Sequence, residues 1–270
     1  MIEFAWMPHV FSIELRKAIS YRAQFWIRFV LQVVTEMTAA YFLWRAIFDN
    51  NGAQTLQGYS FHGILFYYLF SSLGSKLIQT LNEGIISREI YTGTLTRYLL
   101  YPLPFLAYKF VAELAKRLIA ILQLIFCLGL AIWMWSLPAD QNISFSSVAL
   151  GIFTASLAGY VYFMISAALE MVAFWQDTVW NLLAMVRFVG GLLGGLMLPI
   201  EFFPTWGRAI IRFTPFPSML SFPIHCFLGQ VGAHEWFLEA RTLLVWAIVT
   251  TFIAAWVWSR GTRRYSGVGI

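Results

Sequence analysis

Arg28, Glu36, Glu170, Asp177 and Arg187 are ionisable side chains set in or beside long runs of apolar sequence. An ionisable group in hydrocarbon is costly, and it persists where it is paired or faces a bundle interior or a water-filled cavity. Arg28 and Glu36 lie eight residues apart with Gln32 midway, so on a helix all three share a face. Two chemistries fit such groups. One is a structural ion pair, for example Glu36 with Arg187. The other is the polar lining of a translocation path, with Arg28, Gln32, Glu36, Glu170 and Arg187 as its candidate residues. A proton relay is the weakest reading, because no chain of carboxylates and histidines joins these positions.

Other chemistries fail on residue type. His234-Glu235-Trp236-Phe237-Leu238 begins like a zinc-protease helix, but Leu238 stands where the second histidine must be, so no metal site follows. A phosphate-binding loop needs glycine directly before its lysine. The four lysines, Lys17, Lys76, Lys109 and Lys116, follow Arg, Ser, Tyr and Ala. No cofactor is therefore expected on this chain. Cys127 falls mid-span and Cys226 in a loop region, so a disulfide is not expected either.

The elements that must hold these groups are membrane helices. Hydrophobic residues make up 60% of the 270 and charged residues 11%, less than half the share of a soluble domain. With a mean hydropathy of +0.70, one buried core inside a polar shell is excluded. The apolar segments are long and continuous, unlike the short alternating strands of a barrel. The expected fold is an all-α polytopic membrane protein with six transmembrane helices near 25–48, 61–81, 112–135, 147–174, 179–200 and 239–258. Residues 1–23 are too polar and too acidic for a signal peptide, and they are expected to form an interfacial helix.

Lysine and arginine orient these spans. Arg16, Lys17, Arg22, Arg88, Arg97, Lys109, Lys116, Arg117, Arg260, Arg263 and Arg264 fall on one side, and only Arg208, Arg212 and Arg241 on the other. The remaining four of eighteen lie within spans. The positive-inside rule makes the richer side cytoplasmic, together with both termini. The net charge of +5 is thus a membrane signature, and nucleic acid is not an expected partner.

A polar island, Asn82 to Pro102, interrupts the apolar runs on that side. Ile86 and Ile90, and again Leu95 and Leu99, are four apart, which gives each half an apolar stripe. Gly93 breaks the run, Thr94 is placed to cap the second half, and Pro102 stops it. Such an element either lies on lipid headgroups or docks a soluble partner. On the other side, residues 199–238 are too apolar for a solvated loop and are punctuated by Pro204, Pro215, Pro217 and Pro223. Short re-entrant helices and an amphipathic outer cap both fit. In the fifth span, Gly190, Gly191, Gly194 and Gly195 form two overlapping small-residue pairs four apart, a helix-packing signal.

The chain resembles the permease subunits of type-2 ABC transporters, in the six-span branch that works with a separate ATPase. The likeness is carried by Arg88-Glu89-Ile90-Tyr91-Thr92-Gly93-Thr94-Leu95 followed by Leu99-Leu100-Tyr101-Pro102, and by Ala173-Phe174-Trp175. Phe203-Pro204-Thr205-Trp206, Pro215-Phe216-Pro217-Ser218-Met219, Phe222-Pro223-Ile224 and the stretch from Gly261 to Gly269 complete it. The polar first span departs from the pattern. The resemblance implies that 83–104 is a cytoplasmic coupling segment seated in a cleft of the ATPase, with Glu83, Arg88, Glu89, Thr92, Gly93, Thr94, Leu95 and Arg97 in contact or support. It implies two P-loop ATPase copies holding ATP and Mg, a second identical or homologous permease, and short re-entrant helices after the fifth span. An exporter in a bacterial inner membrane is the expected setting. A self-contained channel or secondary transporter would leave the island idle, and no internal repeat supports one. A non-transporting scaffold for a cytoplasmic ATPase is the remaining rival.

Overall fold

The computed structural model describes residues 5–20, 22–52, 54–79, 83–134 and 143–267. Asn82, the last residues of the expected spans 61–81 and 112–135, the start of 1–23, and Val268 and Gly269 therefore lie outside the described residues. What is described is almost entirely helical: α1 (Trp6–Ser20), α2 (Arg22–Asn51), α3 (Phe61–Ile78), α4 (Ile85–Tyr91), α5 (Leu95–Leu99), α6 (Phe105–Met134), α7 (Phe145–Glu170), α8 (Trp180–Leu193), α9 (Thr205–Ile211), α10 (Phe222–Phe227) and α11 (Ala233–Thr262). A two-residue hairpin, β1 (Thr55–Leu56) with β2 (Tyr59–Ser60), turns α2 back along α3.

Local chemistry sets the boundaries. Ser60 begins α3 by accepting the Gly63 N–H at 3.0 Å. Ser144 and Ser147 cap α7 reciprocally, each hydroxyl accepting the other's backbone N–H. The helix α7 runs into a 3-10 turn, Met171–Phe174, and together they make a 30-residue apolar unit. That unit and α11 are both long and apolar enough to cross a membrane. The polar α2 is nonetheless one unbroken 30-residue helix. The fifth expected span is shorter than 179–200: α8 stops at Leu193, and Gly195 turns the chain with a positive φ of 88°.

Helices α3 and α7 form the centre. Tyr67, Phe70, Leu73 and Leu77 of α3 are almost wholly buried, as are Ala155, Ala158 and Val161 of α7. The segment after α9 inserts between them. Pro223 has no N–H to give, and the chain takes one π turn at Pro217–Ser221, where the Phe222 N–H reaches Pro217 O. This places Phe227 flat against Phe70, with centroids 5.3 Å apart and planes 4° apart. Helix α11 packs along α7, α1 on α6, and α2 on α3. A second apolar cluster at the opposite end gathers Ile86, Ile90, Leu95, Phe163, Ala167, Met171 and Phe174.

Candidate functional site

That second cluster is the seat of the island. Ile86 and Ile90 of α4 and Leu95 of α5 are buried against the end of α7 and its 3-10 turn. Leu99, the fourth residue of the expected stripes, is 46% exposed instead, because α5 is one short turn and ends there. The island's apolar side therefore rests on protein.

Polar ties reinforce the seat. A helix start leaves backbone N–H groups without intrahelical partners. At α4, the carboxylate of Glu170 takes two of them, Ile86 N at 2.7 Å and Ser87 N at 3.2 Å. Glu170 is 2% exposed, so this is a buried charge aimed at the positive end of a helix. Glu83, just before α4, has a side chain that is 5% exposed; it pairs with Arg187 of α8 and accepts the Tyr162 hydroxyl of α7 at 2.9 Å. Glu89 pairs with Lys109 of α6, whose ammonium lies 4.2 Å over the Tyr98 ring. Burial pulls the Lys109 ammonium below its ordinary value, and the Glu89 carboxylate opposes that only in part. Further out, Tyr91 donates to Gln176 O at 3.0 Å, and the Thr96 and Tyr265 hydroxyls meet at 3.1 Å.

The outer side is different. Arg88, Thr92, Thr94, Thr96 and Arg97 are all exposed. Gly93 makes the bend between α4 and α5 at φ 72°, a conformation that strains any side chain. Thr94 occupies the cap position of α5 without a capping bond; its hydroxyl meets that of Thr92 at 2.7 Å.

The candidate path residues divide into two groups. Glu170 and Arg187 are engaged with the island. The expected pair of Glu36 with Arg187 does not form, because Glu83 sits beside α8 while Glu36 lies exposed on α2 and accepts from Gln32 at 2.8 Å. Arg28 is also exposed on α2. The four glycines do not form one helical face, since Gly194 and Gly195 follow the end of α8. They admit the inserted segment instead. A Cβ on Gly190 would meet Phe216 at 3.0 Å, one on Gly194 would meet Leu220 at 2.5 Å, and Gly191 would meet only Met197 at 3.7 Å.

A match to the family described as ABC-2 family transporter protein covers residues 34–269. This chain belongs to the ABC-2 transporter family. Such permeases are membrane subunits of ABC transporters, and ATPase activity resides in separate subunits. No curated protein and no solved structure matches the chain. The matched stretch of this ABC-2 chain includes the island, every residue that ties it down, and the inserted segment.

Sequence spacing did not reveal Tyr162, Lys109 or a cluster at the far end. There Tyr59, Glu201 and His225 converge: Glu201 Oε1 lies 3.3 Å from His225 Nε2, and the Tyr59 hydroxyl lies 3.2 Å from the same nitrogen. The only local signal was Ser221 four residues before His225, whose Nδ1 meets Ser221 O at 2.8 Å. Burial pushes the Glu201 carboxyl up, but His225, a backbone N–H and the Tyr59 hydroxyl together outweigh it and hold the group below the usual carboxylate range. Burial lowers His225 in turn, and Glu201, together with the Ser221 carbonyl and Glu235, more than reverses that.

Proposed function

We propose that this chain is a membrane-spanning permease subunit of an ATP-driven exporter. In this reading α2, α3, α6, α7, α8 and α11 cross the membrane, and the termini and the island face the cytoplasm. Residues 199–238 lie on the opposite face and dip back as short re-entrant helices. Two copies of a separate P-loop ATPase, which bind ATP and Mg, dock on the island. A second permease, identical or homologous, completes the path. The exposed polar residues of α2, from Arg28 to Asp49, support a partner there, since such a face is costly against lipid.

The observation that carries the reading is the two-sided island. Its inner side is fixed to α7, α8 and α6 through Glu170, Glu83 and Glu89, and its outer side offers Arg88 and Arg97 to a partner. Of the residues expected to meet the ATPase, Glu83 and Glu89 thus act as internal struts, and Leu95 as a buried anchor. A push on the outer face then reaches three spans through charge-assisted bonds rather than through a flexible loop.

Purification of the tagged chain from its native membrane in mild detergent tests this. A P-loop ATPase and its ATP hydrolysis are expected to co-purify, and replacing Arg88 and Arg97 together with Ala is expected to reduce recovery at least about tenfold. Recovery of a folded chain with no ATPase would contradict the proposal.

A further inference from the structure

Between α2, α3 and the turn after α8 lies a cavity of about 380 Å³ whose chemistry is strongly one-sided. From α2 it is lined by Gln32, Glu36, Ala39, Ala40 and Leu43, and from α3 by Tyr68, Ser71, Ser72, Ser75 and Gln79. Both sets follow helical spacing. The two helices run antiparallel, with Phe48 against Phe61 at one end and Phe29 beneath Lys76 at the other. The polar residues Gln32, Glu36, Ser75 and Gln79 are therefore at the island end. Leu43, Leu196 and Met197 make the far part apolar. Glu36, Leu43 and Met197 are exposed, so the cavity opens sideways.

The hydrogen-bond inventory shows what the polar end lacks. The hydroxyl protons of Tyr68, Ser71 and Ser75 are committed to Met197 O at 2.8 Å, Leu196 O at 3.3 Å and Ser72 O at 2.8 Å. Their oxygens keep acceptor lone pairs. Gln32 donates to one oxygen of Glu36. The Ser72 hydroxyl is 95% buried by residue and has no partner among the described residues. The neighbouring cation, Lys76, does not line the cavity; its ammonium lies 4.2 Å over the Phe29 ring. The cavity thus offers acceptors, the carboxamides of Gln32 and Gln79, one orphan hydroxyl and one carboxylate as its only charge in the lining, next to an apolar trough.

Resting on the transport reading above, we infer that this cavity holds an amphiphile with a primary or secondary ammonium head, its apolar body lying toward the far end. The N–H groups satisfy Glu36, the serine oxygens and Ser72, and the opening on the exposed face of α2 admits the molecule from the path that the second permease completes. A carboxylate or phosphate head would face Glu36 with no cation in the lining to pair with, since Lys76 stands over Phe29 outside it.

The test is equilibrium binding to the chain, with whatever subunits co-purify, in lipid nanodiscs. The probes are three fluorescent amphiphiles of one chain length that end in a primary ammonium, a carboxylate or a sugar. The ammonium probe is expected to bind saturably and at least about tenfold more tightly than either other probe. Glu36→Gln should remove that preference, Ser72→Ala should weaken the ammonium probe a few-fold, and Thr242→Ala should change nothing. Monodispersity of each variant reports folding, and Ser72→Ala serves if Glu36→Gln fails to fold. Equal binding of the three probes, or full ammonium preference in Glu36→Gln, overturns the inference. So does unchanged binding with a lost second permease, which would make the cavity a subunit contact. ATPase co-purification is scored on the same samples, so a failed ligand is distinguished from a failed transport assignment.

Discussion

The two ends of the bundle are held by carboxylates in different ways. At the island end, Glu170 reaches backbone N–H groups and Glu83 reaches an arginine and a tyrosine, partners that keep their protons at any physiological pH. At the far end, Glu201 reaches His225, a partner that can lose its charge. The donors that Glu170 and Glu83 meet at the island end therefore do not switch off near neutral pH, which suits a joint that passes on movement. The far end is a fastening between three separate parts of the chain, α3's leading hairpin, the turn after α8 and α10, whose strength depends on pH.

The largest effect is expected from Glu170→Ala. It leaves two buried N–H groups without acceptors and should cost on the order of 2–4 kcal/mol, measured by thermal unfolding in detergent. Glu170→Gln keeps one acceptor oxygen and should cost clearly less. If the two variants behave alike, the bond to the α4 start is not what holds the island.

Gly93→Val comes next, because φ 72° strains a β-branched residue by about 1–3 kcal/mol. It should reduce transport-linked ATP hydrolysis although it removes no charge. Arg187→Gln should leave insertion intact while lowering the stimulation of hydrolysis by transport, since Glu83 keeps only Tyr162. A variant with normal coupling would show that α8 takes no part in the joint.

The smallest effect concerns the far end. His225 is raised above its ordinary value, so its contribution is full at low pH and is lost as pH rises through that raised value. Glu201 is lowered, so its contribution is present above the ordinary carboxylate range and is lost as pH falls through the lowered value. The fastening is strongest between the two, at roughly pH 5 to 6.5. Glu235, which also acts on His225, reinforces the upper limb. Going from pH 6 to 9 should lower the melting temperature by about 2–4 °C, and Glu201→Gln should flatten that slope. An equal slope in the variant would place the pH dependence elsewhere.

Much of this was legible in the sequence, for identifiable reasons. Helix class and the approximate segments followed from continuous apolar runs, and the bend at Gly93 followed from residue type. What spacing could not show was partnership across the chain. Glu89 and Lys109 are twenty residues apart, and Glu83 and Arg187 more than a hundred; nothing local links them. The glycine pattern of 190–195 presumed a helix that continues, whereas Gly195 turns out of it at positive φ; Gly190 and Gly194 still allow a close approach, by the inserted segment. Leu99 kept the right period but had no helix long enough to bury it.

The central claim is that the outer face of the island meets a separate ATPase. Site-specific photo-crosslinking in native membranes tests it most directly, with the reactive residue placed in turn at Arg88, at Arg97 and at Gly232, all three exposed. The account predicts that positions 88 and 97 form adducts with a P-loop ATPase, identified by mass spectrometry, and that position 232 forms none. An ATPase adduct at 232, or none at 88 and 97 in a correctly inserted chain, would contradict it.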